Sequence, residues 1–559
     1  VLEGAGGSAT TAALTALGVT VRTLSDLGTL PDPASGEVLV VAEGADPAVD
    51  GTAGAAVASF VQAGGQVLVL AQSTFPQLLP WPQFTVGTAQ TVTHLAAPHH
   101  PVLAGIGADD LRWWHTDNEV VVSTALLKPR FGSVLSLADA GPALAGSALA
   151  EARFGKGRYL MCQFPVVAAQ ADEPVAAALL RNLLGHVATP AEPTGRFGVL
   201  AADPAGAAAA TLKAAGADLT AVSSVDADTL AGLDVLLVDA SAGNDQPLAS
   251  LRTAAEAVTG WIRGGGTLWV SAATPDTLPA VAAFLPGGAS LAAVDSAHQH
   301  GAVVTGDSPL TAGLSNADLD WPGGGAALVA HTLKARGGTA AVATRAVDWS
   351  QFSAGNEQTK YGKAAHSTLG FSAGTALWHG PLGKGTVVVD QLLWPVKSAL
   401  PAQTGLATTL AANLGVAFAA GSGSGQLPTT GWKGFTNPAT GNPANAFDRN
   451  PSTRWSTDTL RQPGMYYGLD LGAVHRVEKI IWDASASSGD CPSAADLQVS
   501  TDNSTWTTVL SLADTSPYIT GGVMTLTFDP VDARYLKVVN TEAGGLYMSV
   551  HEIYVYAVQ

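Results

Sequence analysis

The feature that most constrains this chain is a long internal repeat. Ala9–Leu24 (ATTAALTALGVTVRTL) resembles Ala207–Val222 (AAAATLKAAGADLTAV), and Phe60–Ala71 (FVQAGGQVLVLA) resembles Trp261–Ala272 (WIRGGGTLWVSA). His100–Ile106 (HPVLAGI) matches Ser308–Leu314 (SPLTAGL), and Gly155–Val166 (GKGRYLMCQFPV) matches Gly383–Val396 (GKGTVVVDQLLWPV). The order is kept while the spacing grows. One unit was therefore duplicated, and its second copy gained insertions, the largest near Arg345–His366. A period of roughly 200 residues is a domain length, not a solenoid repeat.

Within each copy the elements alternate. In the second, an apolar run (Gly198–Ala202) precedes an Ala-rich stretch, another apolar run (Val235–Asp239), a helix pattern (Leu248–Ile262) and a further run (Thr267–Ala272). Apolar runs separated by helices predict a parallel sheet covered on both faces. The clusters Gly64-Gly65 and Gly264-Gly265-Gly266 fit helix C-terminal turns, where a left-handed residue is needed. The expectation is α/β architecture: two tandem doubly wound parallel-sheet domains, residues 1–190 and 195–418. Each ends on a helix-like tail, Leu180–Val187 or Thr409–Phe418.

Composition sets the class. Hydrophobic residues make up 47% and charged residues 13%, so the chain buries large cores and is not a disordered protein. Its 27 Lys and Arg face 45 Asp and Glu, a net charge of −18 with no basic stripe, which argues against nucleic acid as a partner. No apolar run reaches the roughly 18 residues of a membrane helix. The cysteines, Cys162 and Cys491, fall in different predicted domains, which excludes a disulfide framework and a Cys-rich zinc site. The chain opens on Val1 inside an apolar run and reads as a cut end, with a leader or a domain expected upstream.

Residues 419–430 (AAGSGSGQLPTT) read as a Gly/Ser linker. Beyond it the texture changes to short alternating runs: Met465–Leu471, Val477–Asp483, Asp496–Ser500, Thr505–Leu510, Val523–Phe528, Tyr535–Asn540 and Glu552–Ala557. Such runs between turn signals predict an all-β sandwich over 431–559. Asp448, Asn450 and Thr453 place oxygen atoms in one tight turn, a donor set suited to Ca²⁺.

The segment Asn445-Ala446-Phe447-Asp448-Arg449-Asn450-Pro451-Ser452-Thr453-Arg454-Trp455 resembles the opening signature of the discoidin, or F5/8 type C, fold. Leu469-Asp470-Leu471-Gly472, Val499-Ser500-Thr501-Asp502 with Trp506, Ala533-Arg534-Tyr535 and Glu552-Ile553-Tyr554-Val555-Tyr556 follow in the family's order. Arg449 stands where the family usually has Gly. Bacterial members of this type resemble family 32 carbohydrate-binding modules, which implies a jelly-roll sandwich, a structural Ca²⁺ and a saccharide partner. By this resemblance the ion's ligands are the carbonyls of Asn445 and Asn450, Asp448, Thr453, the carbonyl of His551 and Glu552. Sugars need an aromatic face and fixed polar partners, and the loop residues expected to supply them are Trp432, Arg461, Asp490, Cys491 and Tyr547. Trp455 and Trp506 are expected to pack the core.

The duplicated region is similar to the class I glutamine-amidotransferase-like fold found in C-terminal regions of some glycoside hydrolases. That resemblance rests on the Gly-Gly turns, the H-P-V-L-x-G-I and G-K-G segments and the domain size. Neither copy carries the Gly-x-Cys-x-Gly elbow of an active amidotransferase. Cys162 lies mid-strand, and Asp390 takes its place in the second copy, so no catalytic residue is assigned. His94, His99 and His100 lie near Asp109 and Asp110 without a metal-binding spacing, and no metal is assigned there. Trp114, Trp113 and Trp321 are expected to pack between domains or against a neighbour, and Asp348–Lys363 to form a long loop able to line a neighbour's site.

The expected function is the non-catalytic part of a secreted bacterial glycoside hydrolase: scaffold or oligomerisation domains, with a calcium-stabilised carbohydrate-binding module that tethers an upstream catalytic domain to glycan. The expected partners are polysaccharide, the catalytic domain or chain and other copies of this chain. Alternatives are a cell-surface glycan-binding adhesin, or a divergent hydrolase using Ser73 or Ser271 at strand ends.

Overall fold

The computed structural model describes residues 1–4, 9–47, 49, 51–73, 78–80, 89–112, 114, 120–128, 132–142, 144, 146–203, 206–295, 302–304, 308–319, 328–347, 371–394, 401–419, 424–427, 429, 431–448, 450, 452–520 and 522–558. Trp113, Trp321, the loop 348–363 and Arg449 lie outside the described residues. Contacts divide the chain into two compact units, residues 1–80 with 84–420, and residues 421–559.

In the first unit each copy of the repeat builds its own sheet. Strands Val38–Val41, Gln66–Val69 and Gly157–Cys162 lie parallel, and Gly146–Phe154, Val134–Ala140 and Thr93–Leu95 extend that sheet antiparallel. In the second copy Leu219–Val222, Phe197–Leu200, Val235–Asp239, Thr267–Ser271 and Gly385–Asp390 run parallel in that spatial order. Phe371–Leu382 and Thr339–Val347 then continue antiparallel. The expected parallel sheets are thus corrected to mixed ones. The reason is local: tight turns at Gly155 (φ 60°) and Gly383 (φ 67°) join neighbouring strands, and a two-residue hairpin can join only antiparallel ones. Apolar continuity reports burial on both faces, not strand direction.

The repeat motifs find their physical reason here. A Cβ on Gly157 would sit 2.2 Å from the Gly65 carbonyl oxygen and 2.3 Å from that of Val61, and one on Gly385 would sit 2.1 Å from those of Gly266 and Ile262. The Gly-Gly turn and the G-K-G strand start are two halves of one backbone contact, made identically in both copies. The H-P-V-L-x-G-I segment is a capped 3₁₀ turn. The ring of His100 accepts from Val102 N, while Ser308 Oγ accepts from Leu310 N. A helix asparagine then clasps each turn. Asn182 Nδ2 donates to the carbonyls of Val102 (3.0 Å) and Ala104 (2.9 Å), and Asn413 Nδ2 to those of Leu310 (2.8 Å) and Ala312 (2.9 Å).

Helix Pro174–Val187 presents Ala176, Leu179, Leu180, Leu183 and Val187 to the core, the i, i+3, i+4, i+7 stripe of an amphipathic helix. Glu173 caps it, accepting from Val175 N, and Pro174 takes the first position, where no N–H is needed. Each buried leucine contributes about 2 kcal/mol of transfer free energy. Ala412 of the second copy joins the first copy's core, and its carbonyl accepts from Arg153 Nη2 at 3.1 Å, so the copies pack as one body.

In the second unit all seven expected strands form, two pairs of them fused. Tyr466–Asp483 and Val523–Asn540 each run continuously and pair with irregularities between Asp470 and His475 and between Val477 and Lys479, where a strand can bend without ending. Lys433–Asn437 adds a strand beside Tyr466–Asp470 that the sequence reading missed. The supposed linker is corrected in part: Ser424–Gln426 pairs antiparallel with Tyr556–Val558, and Leu427 is buried in the core. Two of the ordered motifs meet, since Arg534 binds Asp470 bidentately at 2.8 and 3.0 Å. These hydrogen bonds hold the Asp470 carboxyl below the usual carboxylate range.

Candidate functional site

The sandwich loops gather two groups of polar side chains. In the first, the turn after the 3₁₀ helix Pro443–Ala446 folds back on itself. Thr453 Oγ1 lies 3.0 and 2.8 Å from the two Asp448 carboxylate oxygens, 2.8 Å from the Asn450 carbonyl and 3.4 Å from the Asn445 carbonyl. A hydroxyl has a single proton to give, so most of these oxygen–oxygen approaches lack a hydrogen between them. The expected loop ligands therefore sit together. Glu552 is 1% exposed, and its charge helps raise the pKa of Tyr467, after burial as the main cause. The Tyr467 hydroxyl donates to the Pro443 carbonyl at 2.6 Å. Glu552 is thus close to the same turn, and His551 precedes it on the chain.

In the second group Arg454 Nη1 donates to Ser487 Oγ (2.6 Å) and lies 3.4 Å from Asp490 Oδ2. Ser549 Oγ donates to that same carboxylate oxygen at 2.8 Å, and Ser487 Oγ meets His551 Nε2 at 3.1 Å. Loops from three parts of the chain thus converge on Asp490. Tyr547, 40% exposed, and Leu546, 50% exposed, precede Ser549 on the chain. Arg454, Ser487 and Ser549 were not singled out from sequence, because nothing in their local pattern marks them.

Three of the expected sugar-facing residues are corrected. Trp432 is 7% exposed and packs edge-on against Phe447 at 5.8 Å, inside the core. Cys491 is 5% exposed, its Sγ donating to the Gly522 carbonyl, and burial pushes its thiol up to about 11. Arg461 is 8% exposed and turned inward onto the Cys491 carbonyl. A loop position in sequence says that the backbone turns, not that the side chain faces water. Asp490 and Tyr547 remain accessible. Trp455 is in the core as expected. Trp506 is half-buried outside it, with Lys537 Nζ 4.0 Å from its ring centroid.

In the duplicated unit Ser73 Oγ donates to Asp46 at 2.5 Å, and Ser271 is buried with no partner for its hydroxyl among the described residues. Neither is hydrogen-bonded to a histidine among the described residues. Cys162 is fully buried, which raises its thiol pKa far above the ordinary value. Trp114 is buried against Phe164.

One further cluster escaped the sequence reading. Glu151 Oε2 lies 2.5 Å from His186 Nε2 and 3.5 Å from His100 Nε2, and Arg158 Nη1 approaches it at 3.3 Å. Burial alone would raise the Glu151 carboxyl. The hydrogen bonds from His100 and His186, with the charges of His100 and Arg158, outweigh burial and hold it well below the carboxylate range.

Residues 431–553 match the family model of the F5/8 type C domain, so the terminal unit contains a domain of that family. Solved structures similar to this segment include a family 32 module of a family 89 glycoside hydrolase from Clostridium perfringens, in complex with GalNAc-β-1,3-galactose. It is 23% identical over 24% of this chain and 99% of that one, with a TM-score of 0.20. The family 32 module of NanJ from the same organism, in complex with galactose, is 20% identical over 23% and 97%, with a TM-score of 0.20. A chitosan-binding module of a Paenibacillus chitosanase/glucanase is 26% identical over 24% and 98%, with a TM-score of 0.20. No curated protein matches the chain. No helix among the described residues is long and apolar enough to cross a membrane.

Proposed function

We propose that the terminal domain binds glycan at the loop end centred on Asp490, and that a Ca²⁺ ion held by the Asn445–Thr453 turn stiffens it. The observation that carries the reading is the convergence on one carboxylate of Arg454 and Ser549, with Ser487 and His551 adjoining; Tyr547, exposed and two residues before Ser549 in the chain, supplies an aromatic ring. That combination offers hydroxyl partners with fixed directions next to an aromatic face for sugar C–H surface.

Calcium suits the neighbouring turn because hard oxygens crowd there without enough protons to separate them. The carboxylates of Asp448 and Glu552, the carbonyls of Asn445, Asn450 and His551, and Thr453 Oγ1 would hold the ion. It would supply positive charge that pins the loop to the last strand, and no chemistry beyond that. The duplicated α/β unit serves as scaffold or self-association surface, Cys162 being fully buried. The whole is proposed to act outside the cell in a glycoside hydrolase whose catalytic carboxylates lie outside these residues. Tethering of this kind raises local substrate concentration through effective concentration.

A glycan array probed with the full chain tests the reading. Binding is expected to fall about tenfold in Tyr547→Ala, the loss of one stacking contact of roughly 1–1.5 kcal/mol. It is expected to fall further in Asp490→Ala and to weaken on chelation of calcium. An array with no hits, or hits indifferent to both substitutions, defeats it.

A further inference from the structure

We propose that His100, Glu151 and His186 form a binding site for a divalent transition metal of the zinc class in the first α/β copy. Their ligand atoms lie within 4.8 Å of one another. They come from separate elements: the cap of the 3₁₀ turn Pro101–Leu103, the antiparallel strand Gly146–Phe154 and the last turn of helix Pro174–Val187. Two imidazoles and one carboxylate suit zinc and its neighbours, and oxygen-seeking ions poorly. All three also line a cavity of about 1000 Å³ that includes Arg181 and Asn413. Coordination positions left over by three protein ligands would therefore face a space large enough for a small ligand.

The second copy shows that the fold itself does not require this cluster. Ser308 stands where the first copy has His100, and Leu382↔Gly385 repeats the pairing Phe154↔Gly157, which places His379 opposite Glu151. Among the described residues that corner carries the contact of Ser308 Oγ with His379 Nε2 at 3.0 Å. The helix carrying Asn413 ends at that residue, so it lacks the turn that carries His186 in the other copy. The first copy instead aims two imidazole nitrogens at the same buried carboxylate oxygen.

Metal binding has identifiable costs. His100 Nδ1 accepts from Val102 N at 3.4 Å, and coordination through Nε2 moves the ring proton to Nδ1 and gives up that long contact. Arg158 Nη1 must yield both its place at Glu151 Oε2 and its contact with His186 Nε2, while the side chain keeps its bonds to Gln66 Oε1 (2.9 Å) and to the carbonyls of Thr189 (3.1 Å) and Pro190 (3.0 Å).

The test is titration of the chelator-treated full chain with Co²⁺ in excess Ca²⁺, followed by visible absorption. A nitrogen-containing site of low coordination number gives an intense band, whereas an all-oxygen octahedral site gives a weak one. One equivalent of Co²⁺ is expected to produce the intense band, and Zn²⁺ to abolish it by competition. Losing an outer-shell partner alone costs 10–100-fold in metal affinity, so loss of a ligand is expected to cost about 100-fold or more in His186→Ala and His100→Ser. His100→Ser copies the residue of the second repeat and is expected to keep the wild-type melting profile. It decides the matter if His186→Ala fails to fold. Absence of the band in the wild-type chain, or its survival in folded His100→Ser, overturns the proposal.

Discussion

The two α/β copies share a skeleton and differ in how they settle the same buried position. Where the first has Cys162 at the end of its last parallel strand, the second has Asp390. Both are fully buried. The thiol needs little and has the Phe164 carbonyl at 3.8 Å. The carboxylate has acquired a cage: Trp394 Nε1 at 2.7 Å, Trp269 Nε1 at 3.2 Å and Leu392 N at 2.9 Å all donate to it. The backbone contacts of the Gly-Gly turn and the asparagine clasp are kept in both copies, the first because a Cβ has no room there. Buried polar positions drift, and each drift brings its own partners.

The sharpest way to break this comparison is to exchange the residues. Cys162→Asp buries a carboxylate with no indole donors in place, and a loss of about 4 kcal/mol or more is expected at neutral pH. Asp390→Cys strands two indole N–H groups and is expected to cost about 2–4 kcal/mol. Denaturant unfolding of both variants measures this, and equal small losses would mean that the cage is incidental.

The pH dependence is the next largest effect. Burial raises the Asp390 carboxyl to about 6, against the lowering effect of its hydrogen bonds. Burial likewise takes Asp139 to about 6, against Lys128 and Ser136. A carboxyl that holds its proton more tightly folded than unfolded stabilises below the unfolded pKa, and that contribution is lost as pH rises through the folded one. Stability is therefore expected to drop between about pH 4 and pH 7 by roughly 2–3 kcal/mol for Asp390. Asp390→Asn should remove that residue's share of the drop while leaving the Asp139 contribution. The smallest effect tests the sameness of the copies: Asn182→Ala and Asn413→Ala should each cost about 1–2 kcal/mol, alike within about 0.5 kcal/mol.

Much of this was legible in the sequence, for definable reasons. Gly157 and Gly385 face backbone too closely for any side chain, so the motif survived duplication and displayed the repeat. The seven alternating runs of the sandwich showed because one face of each is buried. Local pattern did not carry the direction of Gly146–Phe154, the pairing of Ser424–Gln426 with the last strand or the inward turn of Trp432, because each depends on a distant neighbour. The His100–Glu151–His186 cluster was hidden for the same reason. Its members lie far apart along the chain, and the spacing of the histidines around His100 matches no metal-binding motif.

The central claim is that saccharide recognition belongs to the terminal domain and not to the duplicated unit. Hydrogen–deuterium exchange of the full chain, with and without the glycan selected on an array, tests it most directly. Protection confined to peptides spanning 454–461, 484–493 and 541–551 is the predicted result. Protection around 95–101 and 308–314, along the cavity of the α/β unit, with those loops unchanged, would contradict it.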